Sequence, residues 1–103
     1  MYLTMNRFRI KPGSEEQFEQ IWKGRESKLP EVPGFVAFHL LKGPERDGYR
    51  LYASHTTWNR EEDFVNWTRS EAFRQAHAGV GDNQNLYAGK PDLEMFESVQ
   101  SID

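Results

Sequence analysis

A chain of 103 residues is the size of one domain, and its 13 Lys+Arg against 16 Asp+Glu give a formal charge of −3, which excludes the basic face that nucleic acid or an anionic membrane requires. Cysteine is absent, so disulfides, thiolate nucleophiles, cysteine-bound zinc, iron–sulfur clusters and thiolate-ligated haem are excluded as well. The 7 Phe, 4 Tyr and 3 Trp stand in a chain only 37% hydrophobic, so a few rings, each burying roughly 150–250 Å², must supply much of the core.

Residues Tyr2 to Ile10 alternate, with Tyr2, Thr4, Asn6, Phe8 and Ile10 on one side and Leu3, Met5, Arg7 and Arg9 on the other, which predicts a strand. Lys11-Pro12-Gly13 is turn chemistry, and Ser14 with Gln17 three residues on has the form of a capping box. Phe18, Ile21, Trp22, Arg25 and Leu29 then fall at helical spacing, and Pro30 and Pro33-Gly34 close that helix. A second strand is expected over Phe35–Lys42, apolar on both sides apart from His39 and so buried on both. A loop follows over 43–48, then a third strand over Tyr49–Trp58. Asn59 and Glu62 form a second candidate capping box for a helix reaching Trp67, and Ser70 caps a further helix over Glu71–Ala78, ended by Gly79 and Gly81. Asp82–Pro91 reads as a polar loop fit to be a lid or binding rim, and Leu93–Val99 as the last strand.

The order β-α-β-β-α-β predicts a single α+β domain over residues 1–103, a ferredoxin-like split βαβ sandwich with helices on one face of a four-stranded sheet. The second strand's apolar outer face calls for a cover, and a sheet-to-sheet homodimer is the economical one. No stretch reaches the ~20 apolar residues of a membrane helix, and the alternating N-terminus lacks the apolar core of a signal peptide. A cytoplasmic protein with no membrane or nucleic-acid partner is therefore expected.

Nucleotide, Walker, Gly-x-Ser-x-Gly and His-Glu-x-x-His motifs are all missing. Chemistry must rest on scattered residues. His39 and His55 fall in strands, where a hydrogen-bonded core or interface histidine is the ordinary reading. His77 ends a helix among the small residues Ala76, Ala78 and Gly79. It reads either as a cation complementing the helix C-terminus or as a neutral imidazole open to a bulky planar ligand. Trp67 is either core or the edge of a ligand pocket, and a helix break at Thr68-Arg69-Ser70 that folds the next segment back shortens its distance to His77. Asn6 interrupts an apolar strand face, where a buried amide ties strands together or meets a ligand.

Asn6-Arg7-Phe8, Gly34-Phe35 and the block from Trp58 through Trp67 to Ser70-Glu71-Ala72-Phe73-Arg74-Gln75-Ala76-His77 resemble the IsdG-type bacterial haem-degrading monooxygenases, members of the antibiotic-biosynthesis-monooxygenase superfamily of dimeric α/β barrels. The resemblance implies His77 as axial ligand to haem iron, Trp67 pressing the porphyrin out of plane and Asn6 donating a hydrogen bond on the distal side. It further implies haem as both substrate and cofactor, with O₂ and electrons from an external reductase, released iron and a linear tetrapyrrole. Phe8 and Phe35 join Trp67 as expected pocket walls. Arg25, Arg69 and Arg74 are the candidates for the haem propionates. A cofactor-independent quinone-forming monooxygenase on the same barrel, or a non-catalytic haem-binding protein, are the alternatives.

Overall fold

The computed structural model describes residues 1–24, 28–76 and 85–102, without the side chains of 75 and 76. The elements are β1 (Tyr2–Ile10), α1 (Glu15–Lys23), a 3-10 turn (Leu29–Glu31), β2 (Phe35–Arg46), β3 (Tyr49–Trp58), α2 (Glu61–Thr68), α3 (Glu71–Ala76) and β4 (Asp92–Glu97). Among the described residues four strands form one sheet in the order β2-β3-β1-β4, every neighbouring pair antiparallel. β1 and β2 therefore run the same way with β3 between them. This is the expected split βαβ of a ferredoxin-like α+β fold.

Each strand's alternation decides which side chains meet the helices. The register sets Tyr2 opposite Trp58, Thr4 opposite Thr56, Asn6 opposite Ser54 and Phe8 opposite Tyr52, all on the helix-covered face. Here α1 delivers Phe18, Ile21 and Trp22 onto a core of Phe8, Ile10, Tyr52 and Leu86. Phe18 is the hub. It lies 4.8 Å from the Tyr52 ring and 5.5 Å from Phe8, in the tilted arrangements that aromatic quadrupoles favour.

Several expectations are corrected. The first helix ends at Gly24, whose N–H bonds to Gln20 O at 2.9 Å, and Leu29 belongs to the separate 3-10 turn. Glycine weakens the helix by about 1 kcal/mol, and Pro30 is accepted only where a turn starts afresh. The Ser14 capping box does not form; Glu15 instead accepts the Gly13 N–H at 2.7 Å. The second box shifts one residue, so that the Asp63 carboxylate accepts the Arg60 N–H at 3.2 Å. The expected loop over 43–48 is mostly strand, since β2 runs on to Arg46 with a bulge between Lys42 and Glu45, and Asp47-Gly48 alone makes the turn, with Gly48 at φ +81°. Pro44 fits because it lies in that bulge on an edge strand.

Burial of β2 on both faces is also corrected, because β2 is an edge strand on which Val36 and Leu41 stay 47% and 43% exposed. β4 stops at Glu97, leaving Val99 almost wholly exposed. The described part of the 82–91 loop is not a free rim. Lys11 N–H bonds to Leu86 O at 2.8 Å, Ala88 N–H bonds to Arg9 O at 2.7 Å, and Leu86 is sealed in the core. The expected helix end at Ala78, its glycine stops and the start of that loop lie outside the described residues.

Candidate functional site

The segment from Gly34 to Phe73 is built around one buried carboxylate. Asp63, 8% exposed, closes the first turn of α2 and sits under Gly34, whose φ of +83° needs glycine and whose missing β-carbon leaves the space that the carboxyl group fills. Gly34 O in turn accepts the Asn59 N–H at 2.8 Å, so the entry to β2 and the entry to α2 are one unit. Trp67 comes one turn after Asp63, on the same side of α2. The expected break follows: Ser70 Oγ caps α3 by accepting the Phe73 N–H at 3.1 Å and donates back to Trp67 O at 2.6 Å. That reversal swings Phe73 edge-on to Trp67, 4.8 Å between centroids.

Trp67 therefore belongs to an aromatic group at one end of the helix-covered face. Its ring lies 5.6 Å from Trp58, which also meets Phe64 and, edge-on at 6.1 Å, Phe35. Away from Trp58 it borders a groove of about 320 Å³, with Val32 and Pro33 on one bank and Asp63, Asn66 and Ser70 on the other. A second aromatic group, Phe8, Phe18, Trp22, Tyr52 and Tyr87, holds the other end of the face.

Between the two groups the floor is a strip of short polar side chains, Thr4, Asn6, Ser54 and Thr56. Asn6 is only half-buried as a residue, yet its Oδ1 is sealed from solvent and has no hydrogen-bond partner among the described residues. Leaving such an acceptor unsatisfied costs about 1–3 kcal/mol. Trp58 Nε1 is in the same position on a fully buried side chain. Toward β4 the strip opens, where Leu93, opposite Asn6, and Met95, opposite Thr4, are about half exposed. An unmet polar group, aromatic ends and an exposed apolar margin together suit a flat, largely apolar ligand carrying a polar centre.

The expected site residues are placed as follows. Asn6 lies in the strip; Trp67 and Phe35 are brought together through Trp58; Phe8 is 4% exposed and walled by Phe18, Trp22 and Tyr87, so it belongs to the core group at the far end of the strip. His77 and Arg25 lie outside the described residues. Arg74 is already paired with Glu71 at 2.7 Å, while Arg69 is exposed after α2. Sequence reasoning missed Trp58, Ser54 and the Thr4–Thr56 pair. The signal was there in part, since Thr4-x-Asn6 and Ser54-x-Thr56 put small polar residues on matching faces of two strands.

One proton-bearing pair lies at the far end of this face. The Tyr52 hydroxyl donates to Glu19 Oε2 at 2.6 Å. Burial, and then the adjacent Glu19 carboxylate, push the Tyr52 phenol well above its ordinary range, and the same hydrogen bond holds Glu19 below the usual carboxylate value, with Lys42 assisting.

The sequence model of the antibiotic biosynthesis monooxygenase family matches residues 1–79, and the chain belongs to that family. It is 35% identical over 81 residues, 77% of this chain and 75% of the relative, to a protein of Staphylococcus saprophyticus named heme oxygenase (staphylobilin-producing). A protein of the same name from Staphylococcus epidermidis is 28% identical over 104 residues, covering 100% of this chain and 98% of its own length. Among solved structures, the heme-degrader MhuD from Mycobacterium tuberculosis, with two hemes bound in its active site, superposes with a TM-score of 0.75 at 28% identity, covering 100% of each chain.

Proposed function

We propose that this protein is a haem-degrading monooxygenase that opens the macrocycle oxidatively, releasing iron and a linear tetrapyrrole. The observation that carries the reading is the strip of short polar side chains between two aromatic groups, on which the Asn6 Oδ1 acceptor is sealed without a partner among the described residues. The relatives named above supply the substrate class. The residues present fit haem: a buried polar atom awaits a partner, Leu93 and Met95 offer apolar surface beside it, and Trp67 stands on a groove.

When bound, haem supplies the iron and is itself the framework that is opened, with O₂ and an external reductase as the co-reactants. The chain's own groups bind and orient. Asn6 would donate a hydrogen bond to the bound ligand from its amide nitrogen. Trp67, braced by Trp58 and Phe73, would lie against the face of the macrocycle, and the aromatic group behind it would exclude water. His77, outside the described residues, would hold the iron as a neutral imidazole. Arg69 is left as the candidate for a propionate within the described residues, since Arg74 is engaged by Glu71. The unit is a homodimer closed through the bare sheet face into an α/β barrel, working in the cytoplasm.

Hemin titration tests the reading at the ligand. Wild-type protein is expected to shift the Soret band and His77→Ala to abolish that shift; a shift indifferent to His77→Ala refutes the assignment.

A further inference from the structure

A row of oxidisable rings runs from the groove to the surface, and the haem reading leaves its outer members, Tyr2 and Glu61, without a task. Trp67 borders the groove on one side and the Trp58 ring on the other, 5.6 Å between centroids. Trp58, fully buried, stands directly opposite Tyr2 on the neighbouring strand, where paired β-carbons lie about 4.5–5.5 Å apart. Phe64 packs against both, 6.1 Å from Trp58 and 6.0 Å from Tyr2. Tyr2 is itself buried, and burial, then the Glu61 carboxylate beside its hydroxyl, raise its phenol above the ordinary value. Glu61 is exposed at the start of α2, so the row ends in solvent.

We propose that Trp67, Trp58 and Tyr2 form a hole-transfer chain, which carries a one-electron oxidation away from the groove to the Glu61 carboxylate at the surface. In a chain without cysteine, indole and phenol are the side chains most readily oxidised by one electron. An oxidant in the groove takes one electron from Trp67, Trp58 refills Trp67, and Tyr2 refills Trp58. The Tyr2 O–H proton passes to Glu61, leaving a neutral phenoxyl radical. An external one-electron reductant and the Glu61 proton then restore the phenol, so the oxidant gains one electron and the reductant loses one. The oxidant is of the class that an iron porphyrin and a peroxide generate. That use rests on the haem reading; the transfer itself does not.

Two local features give the chain its direction. Trp58 Nε1 is sealed with no hydrogen-bond partner among the described residues, so an oxidised Trp58 has nowhere to release its N–H proton. It stays charged in a dry site, which is costly and makes it a strong oxidant of its neighbour. At Tyr2 the proton has an acceptor in Glu61, and the hole settles there without net charge on the ring. Glu61, Phe64 and Trp67 follow one another at three-residue spacing along α2, so a single helix carries both ends of the row. Tyr2 and Trp58 lie on the helix-covered side of the sheet, and a homodimer closed through the bare face leaves them in place.

The test uses the haem-free full chain carrying Trp22→Phe, which leaves Trp58 and Trp67 as its indoles. Azide radicals generated by pulse radiolysis oxidise tryptophan, and the indolyl absorption is followed in time. It is expected to give way to phenoxyl absorption at a rate independent of protein concentration. Tyr2→Phe should abolish that phase, and Tyr52→Phe, at the other phenol–carboxylate pair, should leave it unchanged. Glu61→Gln, an exposed change that leaves the core intact, should slow it and decides the matter should Tyr2→Phe misfold. Absence of the phenoxyl phase, a rate that grows with protein concentration, a phase that survives in Tyr2→Phe or an unchanged rate in Glu61→Gln overturns the proposal. Because no haem is present, none of these results bears on the haem reading, and hemin that never binds would leave them as they are.

Discussion

Asn6 shows how one side chain can separate stability from activity. Its Oδ1 is sealed without a partner among the described residues, so truncating the side chain orphans no hydrogen-bond partner at that atom. Asn6→Ala is therefore expected to keep Tm and to retain hemin binding, while loss of the Nδ2 donor lowers ring opening on the order of 10²-fold, the scale for losing an aligned donor in a dry site. Full activity in that variant would make Asn6 a structural amide. Tyr52 and Glu19 give the opposite case, a pair that serves stability. The Glu19 carboxyl is held low in the folded state, so its contribution is present above the ordinary carboxylate value of 4.5 and lost as acid protonates it. The Tyr52 phenol is held high, so its contribution is complete below its ordinary value of 10.0 and disappears as alkali rises beyond that. Tyr52→Phe should flatten both limbs of the stability–pH curve measured by urea unfolding; unchanged limbs would contradict the pair's role. Asn6 was legible in the sequence because an amide stands out on an apolar strand face. Trp58 was not, since the missing partner of its indole N–H exists only after β3 and α2 have packed.

At the scale of elements, the strands and the broken second helix could be read from the chain because their signals are local: two-residue alternation, Pro and Gly punctuation, and Ser70 placed to cap α3. The caps at the other helices were misread because sequence spacing offers several neighbouring polar residues, and tertiary contacts choose among them. Asp63 was chosen because Gly34, far away in the chain, leaves room for its carboxyl group. The Gly34 turn is thus the joint on which α2, and with it Trp67, is aimed. Gly34→Ala must adopt a left-handed backbone at about 1–2 kcal/mol and overlap Asp63 at about 1–3 kcal/mol, giving a loss of about 2–5 kcal/mol in denaturant unfolding. A loss below 1 kcal/mol would show that α2 is not anchored there. The loop before β4 was misjudged for a related reason: Leu86 and Tyr87 look like isolated apolar residues in a polar run, yet they close the core beside Ile10.

On the scale of the whole molecule, the fold has one covered face and one bare face. Leu41 on β2 and Phe96 on β4, 43% and 45% exposed, lie on the bare side with Leu3 and Met5 between them. A second copy is the proposed cover, so Leu41→Asp should turn a dimer into a folded monomer by light scattering; a wild-type monomer would contradict the barrel. The other face carries the proposed chemistry, and hemin added anaerobically to the protein, followed by a reductant and then O₂, tests it most directly. A bound Soret band is expected to bleach on oxygen admission, with free iron and a linear tetrapyrrole appearing together. A Soret band that persists under these conditions, or hemin that never binds, would contradict it.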